Sequence, residues 1–243
     1  GSHLLLMSTD FLMIFLSLEL VSISSYVLAA YAFNKSGTEG SLKYFLFGSV
    51  ASAVMLYGFS ILYGITGTLN FSTTGFSDVL IAENSPLILT AAFMVLAGFL
   101  YKIAAAPMHP WAPDVYEGAP IAVIAFLSVA PKMAGLGVLT KFLLALNLYG
   151  QSVYDWQVIV AAVAILSITI GNFSALRQQN PKRMMAYSSI AQSGFLLVGL
   201  AAFLPQGLHF MLFYASIYLI MNFLVFVCLG YLERSGIDAI PEF

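Results

Sequence analysis

Three charged side chains stand where only apolar residues are expected. Glu19 interrupts SLELVSISSYVLAAY, Lys102 lies in GFLYKIAAAP, and Lys132 is central in FLSVAPKMAGLGVLTKFLL. An acid or a lysine at the centre of a membrane helix costs roughly 2.5–3.5 kcal/mol on insertion scales, so each asks for a use. One carboxylate and two lysines in neighbouring hydrophobic helices can form a proton relay. Two unit charges about 4 Å apart interact by about 4 kcal/mol at an effective dielectric of about 20. Carrying one charge against about 180 mV costs about 4 kcal/mol. Rearranging a single ion pair therefore matches the work of moving one proton. Blander readings stand beside this one. Lys102, within about two turns of Pro107, can snorkel to an interface. Glu19 can be a neutral, hydrogen-bonded acid inside a bundle. Lys132 is deeper, and Pro131 beside it frees a carbonyl that can solvate it. Lys141, towards its helix end, reads as a snorkelling residue.

The elements that position these residues follow from apolar runs near 11–33, 42–66, 86–106, 121–146, 155–176, 184–203 and 208–231. Each is long enough, at roughly 20 residues, to cross a bilayer as a helix. Barrel strands would alternate over about ten residues, whereas these runs are continuous and rich in Leu, Ala and Phe. The predicted fold is an all-α integral membrane bundle of about seven transmembrane helices. Composition agrees: of 243 residues 60% are hydrophobic and 8% charged, with mean hydropathy +0.93. A soluble domain carries about 25% charged residues.

Several function classes are excluded. A net charge of -2 without a basic run offers nothing to a nucleic-acid backbone. Cys228 is a lone cysteine in an apolar run, and His3, His109 and His209 show no metal-ligand spacing. The pair Gly135 and Gly137 sits inside a hydrophobic helix rather than after a strand. No redox cofactor is expected in this chain. The chain opens without Met, ends at Ile240-Pro241-Glu242-Phe243 and lacks a basic segment before its first apolar run, so it reads as a piece of a longer protein without a signal peptide.

Lys35, Lys43, Arg177, Lys182, Arg183 and Arg234 fall in alternate connections, while 67–85, 147–154 and 204–207 have no Lys or Arg. The positive-inside rule then places the N-terminus outside and the C-terminus in the cytoplasm, with Trp156 at an outer interface and Trp111 at an inner one. The connection 106–120 holds Pro107, Pro110, Pro113 and Pro120, so the third span must break near Pro107. Such a break either lines a covered cavity on an ion pathway or is an ordinary interfacial turn. A faint repeat, Leu42–Phe47 with Met55 against Leu208–Phe213 with Met221, falls on helices of opposite direction, as an inverted-topology repeat requires.

The segments around Glu19, Lys102 and Lys132, with PDVYEGAP and GNFSALRQQNPKRMMAYSSIAQSGFLLVGLAA at 171–202, resemble the antiporter-like membrane subunits of proton-pumping NADH:quinone oxidoreductase, respiratory complex I. The likeness covers almost the whole chain and is greatest to subunit N, the counterpart of mitochondrial subunit 2. Related subunits and the Mrp-type sodium/proton antiporters usually have a His-containing segment where this chain reads SVAPKMAG.

The resemblance implies two inverted repeats, residues 1–147 forming the main part of the first, with its broken helix near 102–120, and 148–243 an incomplete second. It implies that the acid matching Glu19 pairs with the lysine matching Lys102, that the lysine matching Lys132 carries protons inward, and that Pro107 and His109 support the broken helix. NAD, flavin, iron–sulfur clusters and quinone would belong to partner subunits, and the partners would be the neighbouring antiporter-like and small membrane subunits in a bacterial inner membrane. The alternative is a cation/proton antiporter subunit of the Mrp type.

Overall fold

The computed structural model describes residues 1–83, 85–146 and 155–235; the expected repeat boundary at 147–148 and the C-terminal Ile240–Phe243 lie outside these. The described residues form ten helices: α1 (Ser2–Met7), α2 (Phe11–Ala29), α3 (Lys35–Thr66), α4 (Thr74–Glu83), α5 (Pro86–Lys102), α6 (Trp111–Gly118), α7 (Ile121–Leu146), α8 (Trp156–Ala175), α9 (Pro181–Ala201) and α10 (Pro205–Arg234). Six are long and apolar enough to cross a membrane, and α5 is a shorter apolar helix of 17 residues. The seven expected runs are therefore helical, and the chain is an integral membrane protein.

Local chemistry sets the helix starts. The Asp10 carboxylate accepts from Leu12 N at 2.9 Å, Asn34 accepts from Gly37 N at 2.6 Å, and Asn180 accepts from Lys182 N at 2.9 Å, each satisfying a first-turn donor. Pro86, Pro181 and Pro205 occupy the first helical position, where a missing N–H costs nothing.

Small residues set the spacing of α8 and α9. A Cβ on Gly171 would lie 2.5 Å from Ala191 N, and one on Gly194 would lie 2.7 Å from Ile168 Cγ1. Helices surrounded by lipid gain little from apolar burial, so close backbone approach supplies much of their adhesion. Gly118, the glycine of PDVYEGAP, similarly lets α6 end against the backbone of Gly37 on α3.

Trp111 and Trp156, the expected interface residues, are both buried within the bundle. Trp111 stacks on Tyr44 with ring centroids 4.2 Å apart and donates to Tyr101 O at 3.1 Å, so its indole seats α6 within the bundle. Lys141 donates to Leu6 O, satisfying the open carbonyl end of α1 as well as reaching outward.

Candidate functional site

The broken span is α5 followed by α6, and α5 stops at Lys102, before the proline expected to stop it. Ala104 adopts φ 53°, the left-handed region. Ala104 N donates to Tyr101 O at 3.1 Å and Ala105 N donates to Leu100 O at 2.9 Å. These are the two bonds of a Schellman stop, here with alanine where glycine is usual. Pro107 is exposed and His109 half-buried, and neither bonds to Lys102 or Lys132.

Ala104, Ala105 and Ala106 are fully enclosed, so this is a covered break and not an interfacial turn. Its backbone groups find partners across the bundle. Ala106 N donates to Ser167 Oγ on α8 at 2.9 Å, and Ile103 O accepts from Ser193 Oγ on α9 at 2.6 Å. Each satisfied group avoids a penalty of about 1–3 kcal/mol.

Lys102 is 3% exposed and does not snorkel; its Nζ donates to Ser22 Oγ on α2 at 3.0 Å. Glu19 lies three residues before Ser22, on the same face of α2, and is half-buried rather than enclosed. Its Oε1 accepts from Ser52 Oγ on α3 at 2.5 Å. Glu19 and Lys102 form no ion pair among the described residues; the pairs found there involve Lys43, Lys182 and Arg183. The acid is thus one helical turn from the serine that holds the lysine, and itself rests on a second serine.

Lys132 is 2% exposed. Its Nζ donates to Ser189 Oγ at 2.5 Å, Ser189 O at 3.0 Å and Ser193 Oγ at 3.3 Å. All three ammonium protons are therefore accepted by neutral oxygens of α9, not by a carbonyl freed by Pro131 on its own helix. Lys102 approaches the same helix one turn on, where a Cβ at Gly135 would lie 3.3 Å from Lys102 Cγ.

At one end of the site α3, α6 and α9 are tied by charge. Asp114 accepts from Lys43 Nζ and from Arg183 Nη1, both at 2.7 Å, and Arg183 also donates to Glu117 at 2.7 Å. Burial pushes the Asp114 carboxyl up, but hydrogen bonds from Lys43 and Arg183 outweigh it and hold the group below its ordinary value. This stability is fully present above the unfolded carboxylate value of about 3.9 and is lost as pH falls through the lower folded value. We expect Asp114→Ala to destabilise the full-length subunit in detergent by about 2 kcal/mol at pH 7, because two cations lose their shared acceptor. Thermal unfolding from pH 7 downwards checks this, and the difference from wild type should shrink with acidification.

Sequence reading missed Ser22, Ser52, Ser167, Ser189 and Ser193. Their signal was faint: Ser189 and Ser193 stand four apart in YSSIAQSGF, on one face of a helix that spans a membrane. The described residues include no group of three or more His, Cys, Asp or Glu placed to hold a metal.

The chain is 42% identical over 245 residues to NAD(P)H-quinone oxidoreductase subunit 2 of Prochlorococcus marinus (strain MIT 9303), covering 100% of this chain and 46% of that protein. It is 43% identical over 241 residues to NADH-quinone oxidoreductase subunit N of Trichlorobacter lovleyi, covering 97% and 48%. The chain thus spans about half the length of the curated relatives it matches. Among solved structures it is similar to a chain of respiratory complex I from Thermus thermophilus (TM-score 0.78, 33% identity, 94% of this chain and 48% of that one). It is also similar to a chain of the Mrp complex from Dietzia sp. DQ12-45-1b (TM-score 0.83, 26% identity, 96% and 43%). The family model described as NADH:quinone oxidoreductase/Mrp antiporter, TM, matches residues 8–240, and the chain belongs to that family.

Proposed function

We propose that this chain is the proton-conducting part of a membrane-arm subunit of a quinone-reducing respiratory complex. Protons move through Glu19, Lys102 and Lys132, driven by electron transfer in other subunits. The observation that carries the reading is the pair of enclosed lysines held by neutral oxygens. A lysine paired to a carboxylate keeps its proton, whereas one solvated by hydroxyls can release it without stranding an opposite charge. Glu19, one turn from the partner of Lys102, supplies the charge whose movement alters that balance, with Pro107 and His109 at the outer edge of the break.

The subunit is built from two inverted repeats, the first ending near residue 147, and α3 and α10, the carriers of the faint repeat, are the longest described helices at 32 and 30 residues. NAD, flavin, iron–sulfur clusters and quinone belong to partner subunits, among them a neighbouring antiporter-like subunit and small membrane subunits. The membrane is a bacterial inner membrane with the N-terminus of this chain outside and its C-terminus cytoplasmic. The positive-inside rule supports this, since Lys43 and Arg183 meet at one end.

A sodium/proton antiporter of the Mrp type is the second reading, favoured by the likeness to the Mrp chain. Proton uptake by sealed vesicles holding the assembled complex separates the two. Uptake should follow electron-donor oxidation and be unchanged when sodium is replaced by choline; uptake that needs sodium and ignores the donor would establish the antiporter.

A further inference from the structure

Lys132 has three acceptors, and they differ in what they can do with a proton. Ser189 O is a carbonyl and passes nothing on. Ser193 Oγ commits its own hydrogen to Ile103 O at 2.6 Å, so it accepts from Lys132 and goes no further. Ser189 Oγ is different: it lies 2.5 Å from Lys132 Nζ and 3.2 Å from both Tyr116 Oη on α6 and Tyr218 Oη on α10.

Tyr218 in turn donates to Ser128 O at 3.2 Å, and Asn222 holds the Ser128 hydroxyl. The Tyr218 hydrogen is therefore spoken for by a carbonyl, which leaves Tyr116 as the neighbour whose hydroxyl can reverse direction. All these groups are buried. Tyr116 is fully buried and does not itself line the depression of about 460 Å3 formed by its sequence neighbours Asp114 and Glu117 with Lys43 and Arg183.

We propose that Ser189 and Tyr116 are the relay that loads Lys132 with its proton. The inference rests on the reading of Lys132 as a proton carrier and deepens it. A hydronium ion that reaches Tyr116 Oη gives it a proton, and Tyr116 gives its own to Ser189 Oγ. Ser189 gives its own to the neutral Lys132 Nζ. One water and one ammonium result, three bonds to hydrogen form and three break, and no oxidant or reductant is needed.

The test uses the full-length subunit in its assembled complex in sealed vesicles, reading donor-driven proton uptake per quinone reduced. Ser189→Ala and Tyr116→Phe should each lower uptake by about threefold or more, as loss of a positioned proton donor does. Ser189→Thr, which keeps the hydroxyl, should stay within about twofold of wild type. Lys132→Met is the reference. Should it lower uptake while Ser189→Ala and Tyr116→Phe leave it unchanged, the relay is wrong and the carrier stands. Should Lys132→Met also leave uptake unchanged, the carrier reading fails and the relay with it. If Ser189→Ala does not assemble, Tyr116→Phe, which keeps the ring, decides between relay and no relay.

Discussion

Lys132→Met in the full-length subunit is expected to lower donor-driven proton uptake by about tenfold or more while leaving the protein as stable as wild type, or more so. The two halves have one cause. An enclosed ammonium pays several kcal/mol of desolvation, and here no carboxylate offsets it; three neutral oxygens do the solvating. Methionine has nearly the same length and no charge, so it fills the space without that cost. Its removal of the charge strands no opposite charge, unlike Asp114→Ala, which leaves Lys43 and Arg183 without their shared partner. Gaining stability while losing activity is the mark of a functional group kept at structural expense. Thermal unfolding in detergent and proton uptake in vesicles are read on the same preparation. A variant that loses stability and uptake together would show Lys132 to be a structural residue.

The second large effect concerns α8 and α9. Gly171→Leu should disrupt assembly of the subunit, because even the first added atom falls 2.5 Å from Ala191 N and 2.8 Å from Tyr187 O, both backbone. Backbone cannot rotate away as a side chain does, so the helices must separate. Overpacking with side-chain neighbours costs about 1–3 kcal/mol, and collision with backbone should reach or exceed the upper end. The separation also moves α9, which carries Ser189 and Ser193, away from Lys132. Gly64→Leu is the control, since nothing in this chain lies within 4 Å of a Cβ there. Thermal unfolding of the two variants in detergent checks the contrast: a large fall for Gly171→Leu and little change for Gly64→Leu. Equal falls would mean that the close approach of α8 and α9 carries little of the stability.

Much of the fold was legible because lipid imposes one simple demand, about 20 apolar residues per crossing, and α2, α3, α7, α8, α9 and α10 satisfy it openly. Glu19, Lys102 and Lys132 were legible as lone charges against that background. The end of α5 was not, because its left-handed stop is made by Ala104 where a glycine would have announced it. The enclosure of Trp111 was not legible either, because it depends on packing against Tyr44, far away in sequence, and Tyr101, across the break. The burial of Lys102 left snorkelling open from sequence, since only the covering by neighbouring helices decides it. The serines were silent for a similar reason. A hydroxyl on an apolar helix commonly returns its hydrogen to the carbonyl four residues earlier, as Ser25 does to Val21 O, and only packing separates such a serine from Ser22 or Ser189.

Lys102, enclosed at the break and bonded to a serine one turn from Glu19, takes part in moving protons. Its most direct test measures proton uptake and quinone reduction together, in sealed vesicles holding the assembled complex, for wild type against Lys102→Ala. Uptake per quinone should fall while assembly is normal. Unchanged uptake and unchanged quinone reduction in an assembled variant would contradict it and reduce Lys102 to a structural lysine bonded to Ser22.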